Sequence, residues 1–152
     1  EINGIRVSAL SEINVDDIDF NDMSISVIEK GNRPTRIYFD EEAALYLKLW
    51  IEQRKDILSG TETDALFISN LKERITVMSI ERLIGKYTEH SIGRHISPHK
   101  LRATFATNLY GKTRDIELTS KALHHKSTAP TQKYVKVFDQ DIRNAVNIGL
   151  YN

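Results

Sequence analysis

Hydrophobic and polar residues alternate in one short part of this chain and follow helical spacing in most of the rest. Apolar residues alternate with serines over residues 23–27, and a second alternating run covers residues 36–39. A period of two is typical of β-strands. Residues 30–34, which read Lys-Gly-Asn-Arg-Pro, have the composition of a turn. The pattern therefore predicts a β-hairpin with Lys30 at its tip.

Apolar residues three and four positions apart predict helices around this hairpin. Asp40 can cap a helix that runs to about Leu58, with Trp50 packed in the core, and residues 14–20 form an acidic, turn-rich connector. Further helices are predicted at residues 5–13, 80–87, 98–111, 115–122 and 138–148, with one or two helical turns at 128–135. The predicted fold class is α+β and mainly helical, with the helices around a small antiparallel hairpin or sheet.

The helix that follows Ser97 carries the most informative side chains. Serine is a preferred N-cap residue, and Pro98 fits the first helical turn, where its missing N–H is not needed. Gly111 predicts the end of the helix. Its predicted buried stripe consists of Leu101, Phe105 and Leu109.

His99 and Arg102 lie three positions apart on that helix, so their side chains can converge on one anion. Arg102 falls at the edge of the predicted stripe. A histidine pair follows at residues 124–125, and Tyr134 comes nine positions after His125. A tyrosine beside an anion-binding histidine and arginine is a candidate nucleophile toward phosphorus. The histidines lack the spacing of common metal-ligand motifs, which argues against a metal site.

Composition narrows the possible classes of protein. The 152 residues suffice for one domain with a hydrophobic core, and 28% charged residues indicate a folded, water-soluble chain. The absence of cysteine excludes disulfides, thiolate metal sites and cysteine nucleophiles. No apolar run reaches the ~20 residues that a membrane span requires. The chain begins at Glu1 without a methionine, so we expect it to be part of a longer protein.

Charge is distributed unevenly although the net charge is zero. Residues 1–64 contain 7 Lys and Arg against 14 Asp and Glu, whereas residues 89–152 contain 10 against 5. The basic part is the one that holds the His-Arg-Tyr constellation. A basic surface there would suit an anionic partner such as nucleic acid.

Five short motifs follow one another along the chain. They are Gly4-Ile5-Arg6-Val7-Ser8, Lys30-Gly31, His99-Lys100-Leu101-Arg102, Leu123-His124-His125 and Tyr134. With these motifs the chain resembles the catalytic domain of the tyrosine recombinases, the phage integrase family. The resemblance extends over nearly the whole chain, and the five motifs together are specific where one alone would be weak.

The resemblance implies metal-free phosphoryl transfer on DNA. Arg6 and Arg102 would bind the non-bridging phosphate oxygens, a role that Mg²⁺ plays in other enzymes. His99 and His125 would add donors, and His99 would accept the proton of the nucleophile.

The same resemblance assigns the two groups that exchange bonds with the DNA. Tyr134 would attack the phosphate to form a 3′-phosphotyrosyl linkage, and Lys30 would protonate the leaving 5′-oxygen. A 5′-hydroxyl from another duplex could then reverse the step, which is strand exchange.

The chain departs from the family pattern at two positions. Ala9 stands where the family usually has an acidic residue that orients the first arginine, and Ser11 and Glu12 are the candidates to replace it. His124 stands where the family usually has glycine, which predicts a strained or altered backbone there.

Partners and location also follow from the resemblance. We expect double-stranded DNA as partner, no cofactor, no metal and no membrane, and a cytoplasmic, nucleoid-associated protein. The full-length protein would be a tetramer on DNA, with residues 138–148 passed between neighbours, whereas the fragment alone could be a monomer. The N-terminal DNA-clamping domain and the start of the catalytic domain would be absent from residues 1–152. The alternatives are an enzyme resembling type IB topoisomerases or telomere resolvases, and an inactive DNA-binding relative.

Overall fold

The computed structural model describes residues 5–29 and 31–147. The chain divides into two compact units, Glu1–His99 and Lys100–Asn152. The first unit contains a three-stranded antiparallel sheet and helices, and the second unit is helical. The predicted α+β, mainly helical fold class is confirmed.

The elements of the first unit follow one another closely along the chain. They are helix α1 (Val7–Glu12), a 3₁₀ turn (Val15–Asp17), strands β1 (Ile18–Asp19), β2 (Ser24–Glu29) and β3 (Arg33–Tyr38), and helices α2 (Glu41–Leu58) and α3 (Val77–Ile92). Helix α4 (Pro98–Thr113) begins at the division between the units. The second unit continues with α5 (Ile116–Ala122), a 3₁₀ turn (Ala129–Thr131) and α6 (Gln132–Asn147).

The sheet has the order β1-β2-β3, and the predicted hairpin forms its β2-β3 part. Ile25 pairs with Ile37 and Val27 pairs with Thr35, which sets the register. Alternation along β2 buries Ile25, Val27 and Glu29 on one face. Strand β1 was not predicted, because its two residues lie in an acidic segment that reads as a connector.

Helix α2 forms where its capping signals predict. The carboxylate of Asp40 accepts a hydrogen bond from the backbone N–H of Ala43 at 2.9 Å, and the helix ends at Ser59 with a positive φ. Trp50 packs against the core, and its indole N–H donates to the carbonyl of Leu66 at 2.8 Å. The core role predicted for Trp50 is confirmed.

Helix α4 differs from its prediction in two respects. The helix buries Arg102 and Ala106, whereas Leu101 of the predicted stripe is 39% exposed. The helix also continues past Gly111 to Thr113. A side chain at position 111 would meet the ring of Phe138, so this glycine permits close packing within the helix instead of ending it.

The C-terminal part of the chain forms one helix where two pieces were predicted. The 3₁₀ turn Ala129–Thr131 leads directly into α6, so Tyr134 lies in the first turn of a helix that reaches Asn147. Ile148, the predicted last residue of that helix, lies outside the described residues.

Candidate active site

The six predicted site residues are distributed between the two units. Arg6 and His99 belong to the first unit, and Arg102, His125 and Tyr134 belong to the second. Lys30 lies outside the described residues.

Arg6 directly precedes α1, with extended backbone angles of φ −71° and ψ 138°. Its Nη1 forms an ion pair with Oε2 of Glu29 at the end of β2. The side chain of Arg6 is 38% exposed, whereas that of Glu29 is 5% exposed. The first arginine of the predicted site therefore has a buried carboxylate as its partner.

The charged partner of Arg6 is a different residue from the two expected. The hydroxyl of Ser11 donates to the carbonyl of Ser8 at 2.9 Å, and Glu12 is exposed at the end of α1. Neither side chain is ion-paired or hydrogen-bonded to Arg6 in the described part of the chain. The expectation that Ser11 or Glu12 replaces the missing acid is wrong, because Glu29 reaches Arg6 from the neighbouring strand.

Helix α1 is held at its other end by a second arginine. Arg74 donates from Nη1 to the carbonyl of Ser11 at 3.0 Å and to that of Ile13 at 3.2 Å. Ala9 and Ile13 are buried in the core beside β2. The backbone that carries Arg6 is therefore fixed both by core packing and by these hydrogen bonds.

Arg102 is almost completely buried, at 6% exposure, although it carries a permanent charge. Its Nη2 donates to the carbonyl oxygen of Leu123 at 2.6 Å. This bond joins α4 to the segment that immediately precedes the histidine pair. Burial of a guanidinium without hydrogen bonds would be costly, so this contact fixes where the charge sits.

His124 and His125 follow the C-terminal end of α5 in a tight turn. The N–H of His124 donates to the carbonyl of Lys121 at 2.9 Å, and that of His125 donates to the carbonyl of Ser120 at 3.0 Å. His124 has a φ of +53°, in the left-handed region. The strained backbone predicted at this position is confirmed.

The imidazole of His125 is oriented by a residue that no sequence motif singled out. Its Nδ1 lies 2.8 Å from Oγ1 of Thr131, which is completely buried in the 3₁₀ turn before α6. A partner at one ring nitrogen determines the ring plane and the direction of the other nitrogen. Thr131 is thus a further functional candidate, and its only sequence signal is its place between His125 and Tyr134.

Tyr134 is buried in the second unit, at 5% exposure. It forms a small cluster with Ala106 of α4 and Leu123. The ammonium group of Lys133 lies 4.9 Å from the centre of its ring. Leu123 thus belongs to the same hydrophobic cluster as Tyr134, and its carbonyl accepts the hydrogen bond of Arg102.

His99 is exposed in the first turn of α4, three positions before Arg102. Across residues 5–29 and 31–147, no three His, Asp or Glu side chains gather in a way that could hold a metal ion. No helix among these residues is both long and apolar enough to cross a membrane.

Comparisons with known proteins show which family the chain is similar to. The model of the phage integrase family matches residues 2–141. The tyrosine recombinase XerC of Vibrio cholerae is 32% identical over 132 residues, which cover 86% of this chain and 42% of the relative. The tyrosine recombinase XerS of Streptococcus equi subsp. zooepidemicus is 33% identical over 149 residues, or 95% of this chain and 42% of the relative. The chain therefore spans 42% of the length of these curated relatives.

Solved structures show the same fold. The crystal structure of XerA recombinase superposes with a TM-score of 0.81 at 30% identity, covering 96% of this chain and 53% of that one. XerH recombinase, bound to its palindromic difH substrate in a post-cleavage complex, superposes with a TM-score of 0.79 over 97% of this chain and 42% of that one. At 23% identity, the second likeness concerns the fold alone.

Proposed function

This chain belongs to the phage integrase family, and we propose that it is the catalytic domain of a tyrosine recombinase that cuts and rejoins double-stranded DNA at a specific site. The named relatives XerC, XerS and XerA are recombinases, which supports this activity over a topoisomerase-like enzyme.

The observation that carries the proposal is the linkage of three predicted site residues within the second unit. The carbonyl of Leu123 accepts a hydrogen bond from the guanidinium of Arg102, and its side chain shares one hydrophobic cluster with Tyr134. Thr131 orients His125. An anion-binding cation, an oriented imidazole and a phenol are therefore built around one short segment. A domain that only binds DNA would not require this combination of groups.

In the proposed reaction, the phenolic oxygen of Tyr134 forms a bond to the scissile phosphorus, and the bond from phosphorus to the 5′-oxygen breaks. His99 accepts the phenolic proton, and Lys30 gives a proton to the 5′-oxygen. The product is a 3′-phosphotyrosyl linkage and a free 5′-hydroxyl, so the number of phosphoester bonds is unchanged. The 5′-hydroxyl of a second strand can attack the linkage and release Tyr134.

Stabilisation of the transition state falls to the arginines and to His125. The charge that develops on the non-bridging oxygens is met by the guanidiniums of Arg6 and Arg102 and by a hydrogen bond from His125. Fixed donors of this kind lose little orientation entropy during the reaction. The hydrogen bond of Arg102 to Leu123 and the contact of His125 with Thr131 supply such fixation in the second unit.

The proposed partner is double-stranded DNA. The related XerH structure and the Tn1549 integrase structures contain DNA bound to those proteins. We propose that the full-length protein assembles as a tetramer on DNA and exchanges its C-terminal segment between neighbours. We therefore propose that the protein acts in the cytoplasm, in association with the nucleoid DNA.

Covalent trapping on duplexes of random sequence tests the activity. The 152-residue chain is incubated with labelled duplexes that carry a nick in the strand to be cut. Cleavage just before the nick releases a short fragment with a 5′-hydroxyl, which diffuses away and leaves the protein joined to the DNA. Wild-type protein and the Tyr110→Phe control should form a denaturant-resistant adduct with a subset of sequences, whereas Tyr134→Phe should form none. Equal adduct formation by Tyr134→Phe would refute the proposal, as would its absence from wild-type protein at saturating DNA.

A further inference from the structure

We propose that Glu29 is the positioning residue of Arg6, and that it supplies from strand β2 the carboxylate that α1 lacks at Ala9. The inference rests on the proposed function, since it assigns a task within the same reaction. It concerns residues of the first unit alone and adds Glu29 to the candidates, beside the six predicted residues and Thr131.

Glu29 is buried on the core side of the sheet. Alternation along β2 gives it the same face as Ile25 and Val27, and its side chain is 5% exposed. Apart from the ion pair with Arg6, neither of its carboxylate oxygens has a hydrogen-bond partner among the described residues. A buried carboxylate is costly unless a cation compensates it. The buried carboxylate of Glu29 therefore needs the guanidinium of Arg6 beside it to compensate its charge.

Arg6 remains able to bind a second anion while it is held by Glu29. A guanidinium has five N–H donors in a rigid plane, and Glu29 is met by Nη1. The side chain of Arg6 is 38% exposed, whereas that of Glu29 is only 5% exposed. A phosphate can thus approach the exposed part of the guanidinium without displacing the carboxylate.

The pairing reduces the freedom of a long side chain. Free arginine populates many rotamers, and ordering one of them during the reaction costs conformational entropy. Arg6 is already ordered before the reaction, because its backbone is fixed by α1 and its head group by Glu29. Glu29 acts through Arg6 and does not itself touch the reacting phosphate, so its effect must vanish when Arg6 is absent.

Single-turnover trapping on DNA selected by the wild-type chain tests this dependence. Glu29→Gln keeps the shape of the side chain and removes its charge, and we expect adduct formation to slow by roughly 10-fold or more while DNA affinity changes by less than about two-fold. In an Arg6→Ala background, the same substitution should change the rate by less than about two-fold. The control is Asp22→Asn, which removes the exposed carboxylate that pairs with Arg36 of β3, and it should leave the rate unchanged.

A second measurement does not depend on catalysis. The Nε–H signal of Arg6 in ¹⁵N NMR spectra should be ordered in wild-type protein and in Asp22→Asn, and averaged by motion in Glu29→Gln. Glu29→Asp, which keeps the charge but shortens the side chain, should fall between them in both experiments. If thermal denaturation shows that Glu29→Gln is unfolded, Glu29→Asp replaces it in both experiments.

Three results would overturn the inference: an unchanged or faster rate for Glu29→Gln, equal slowing with and without Arg6, or an Arg6 signal that does not respond to Glu29. Failure of the proposed function has a different signature, because the wild-type chain would then form no adduct while the NMR comparison still reports whether Glu29 orders Arg6.

Discussion

The imidazole Nδ1 of His125 lies 2.8 Å from the hydroxyl oxygen of Thr131, a residue with no solvent exposure. The hydroxyl can accept a hydrogen bond from Nδ1–H or donate one to an unprotonated Nδ1, and either arrangement fixes the ring. Thr131 also belongs to the turn that leads into α6, three positions before Tyr134. One side chain thus links the orientation of the histidine to the start of the tyrosine-bearing helix.

Thr131→Val removes the hydroxyl and keeps the shape of the side chain. Because His125 loses its fixed orientation, adduct formation should slow by roughly 10-fold or more. The free energy of unfolding should fall by about 1 kcal/mol for the lost hydrogen bond. Thr119→Val is the matched control, since Thr119 is equally buried but its hydroxyl bonds to the carbonyl of Asp115 at the start of its own helix. If both variants slow cleavage equally, the orienting role is wrong.

Arg6→Ala should destabilise the protein by about 1–3 kcal/mol, because it leaves the buried carboxylate of Glu29 without its cation. The double variant Arg6→Ala with Glu29→Gln should recover much of that loss. Chemical denaturation of the four combinations measures the coupling between the two residues. Arg36→Ala should cost little by comparison, since its partner Asp22 is exposed. A double variant as unstable as Arg6→Ala would show that the charge of Glu29 is not compensated by Arg6.

Because His124 has a positive φ, the glycine and alanine variants should rank in opposite order of stability at His124 and at a helical position, His90. His124→Gly should be more stable than His124→Ala by about 1 kcal/mol, because both lack the imidazole and only glycine adopts this backbone without strain. At His90, inside α3, glycine should be the less stable of the two by up to ~1 kcal/mol. Thermal unfolding of the four variants measures both differences. The same order at both positions would contradict the backbone assignment.

The effect of Gly111→Ala on stability should depend on the ring of Phe138. Alanine usually stabilises a helix relative to glycine by about 1 kcal/mol. Here a Cβ atom would lie 2.6 Å from the ring of Phe138, so Gly111→Ala should instead destabilise by about 1–3 kcal/mol. In a Phe138→Ala background the same change should be neutral or stabilising. A destabilisation of equal size in both backgrounds would rule out the steric explanation.

The elements that sequence patterns predicted correctly are those determined by local signals. Helix α2 has an aspartate cap and acidic residues in its first turn, and the β2-β3 hairpin has strict alternation around a turn. The family motifs singled out Arg102, His125 and Tyr134, which all lie in the second unit. Arg102 is joined there to Leu123, and Tyr134 lies in the same cluster as Leu123. The catalytic roles of the six residues, including Lys30, remain predictions.

The features that sequence patterns did not reveal depend on contacts between distant positions. The helical pattern places Arg102 only at the edge of the predicted stripe, but Arg102 is buried because a carbonyl 21 positions away accepts its hydrogen bond. Glu29 reads as one of many acidic residues until β2 brings it beside Arg6. Gly111 reads as a helix end until α6 places Phe138 against it. In each case a tertiary partner changes the meaning of a local signal.

The most direct test of the proposed mechanism is to identify the residue that carries DNA after covalent trapping. The chain has 6 tyrosines, so digestion of the adduct and mass spectrometry can distinguish them. We predict a nucleotide joined through its 3′-phosphate to the peptide that contains Tyr134. A nucleotide on the peptide of Tyr38, Tyr46, Tyr87, Tyr110 or Tyr151, or one joined through a 5′-phosphate, would contradict the proposed mechanism.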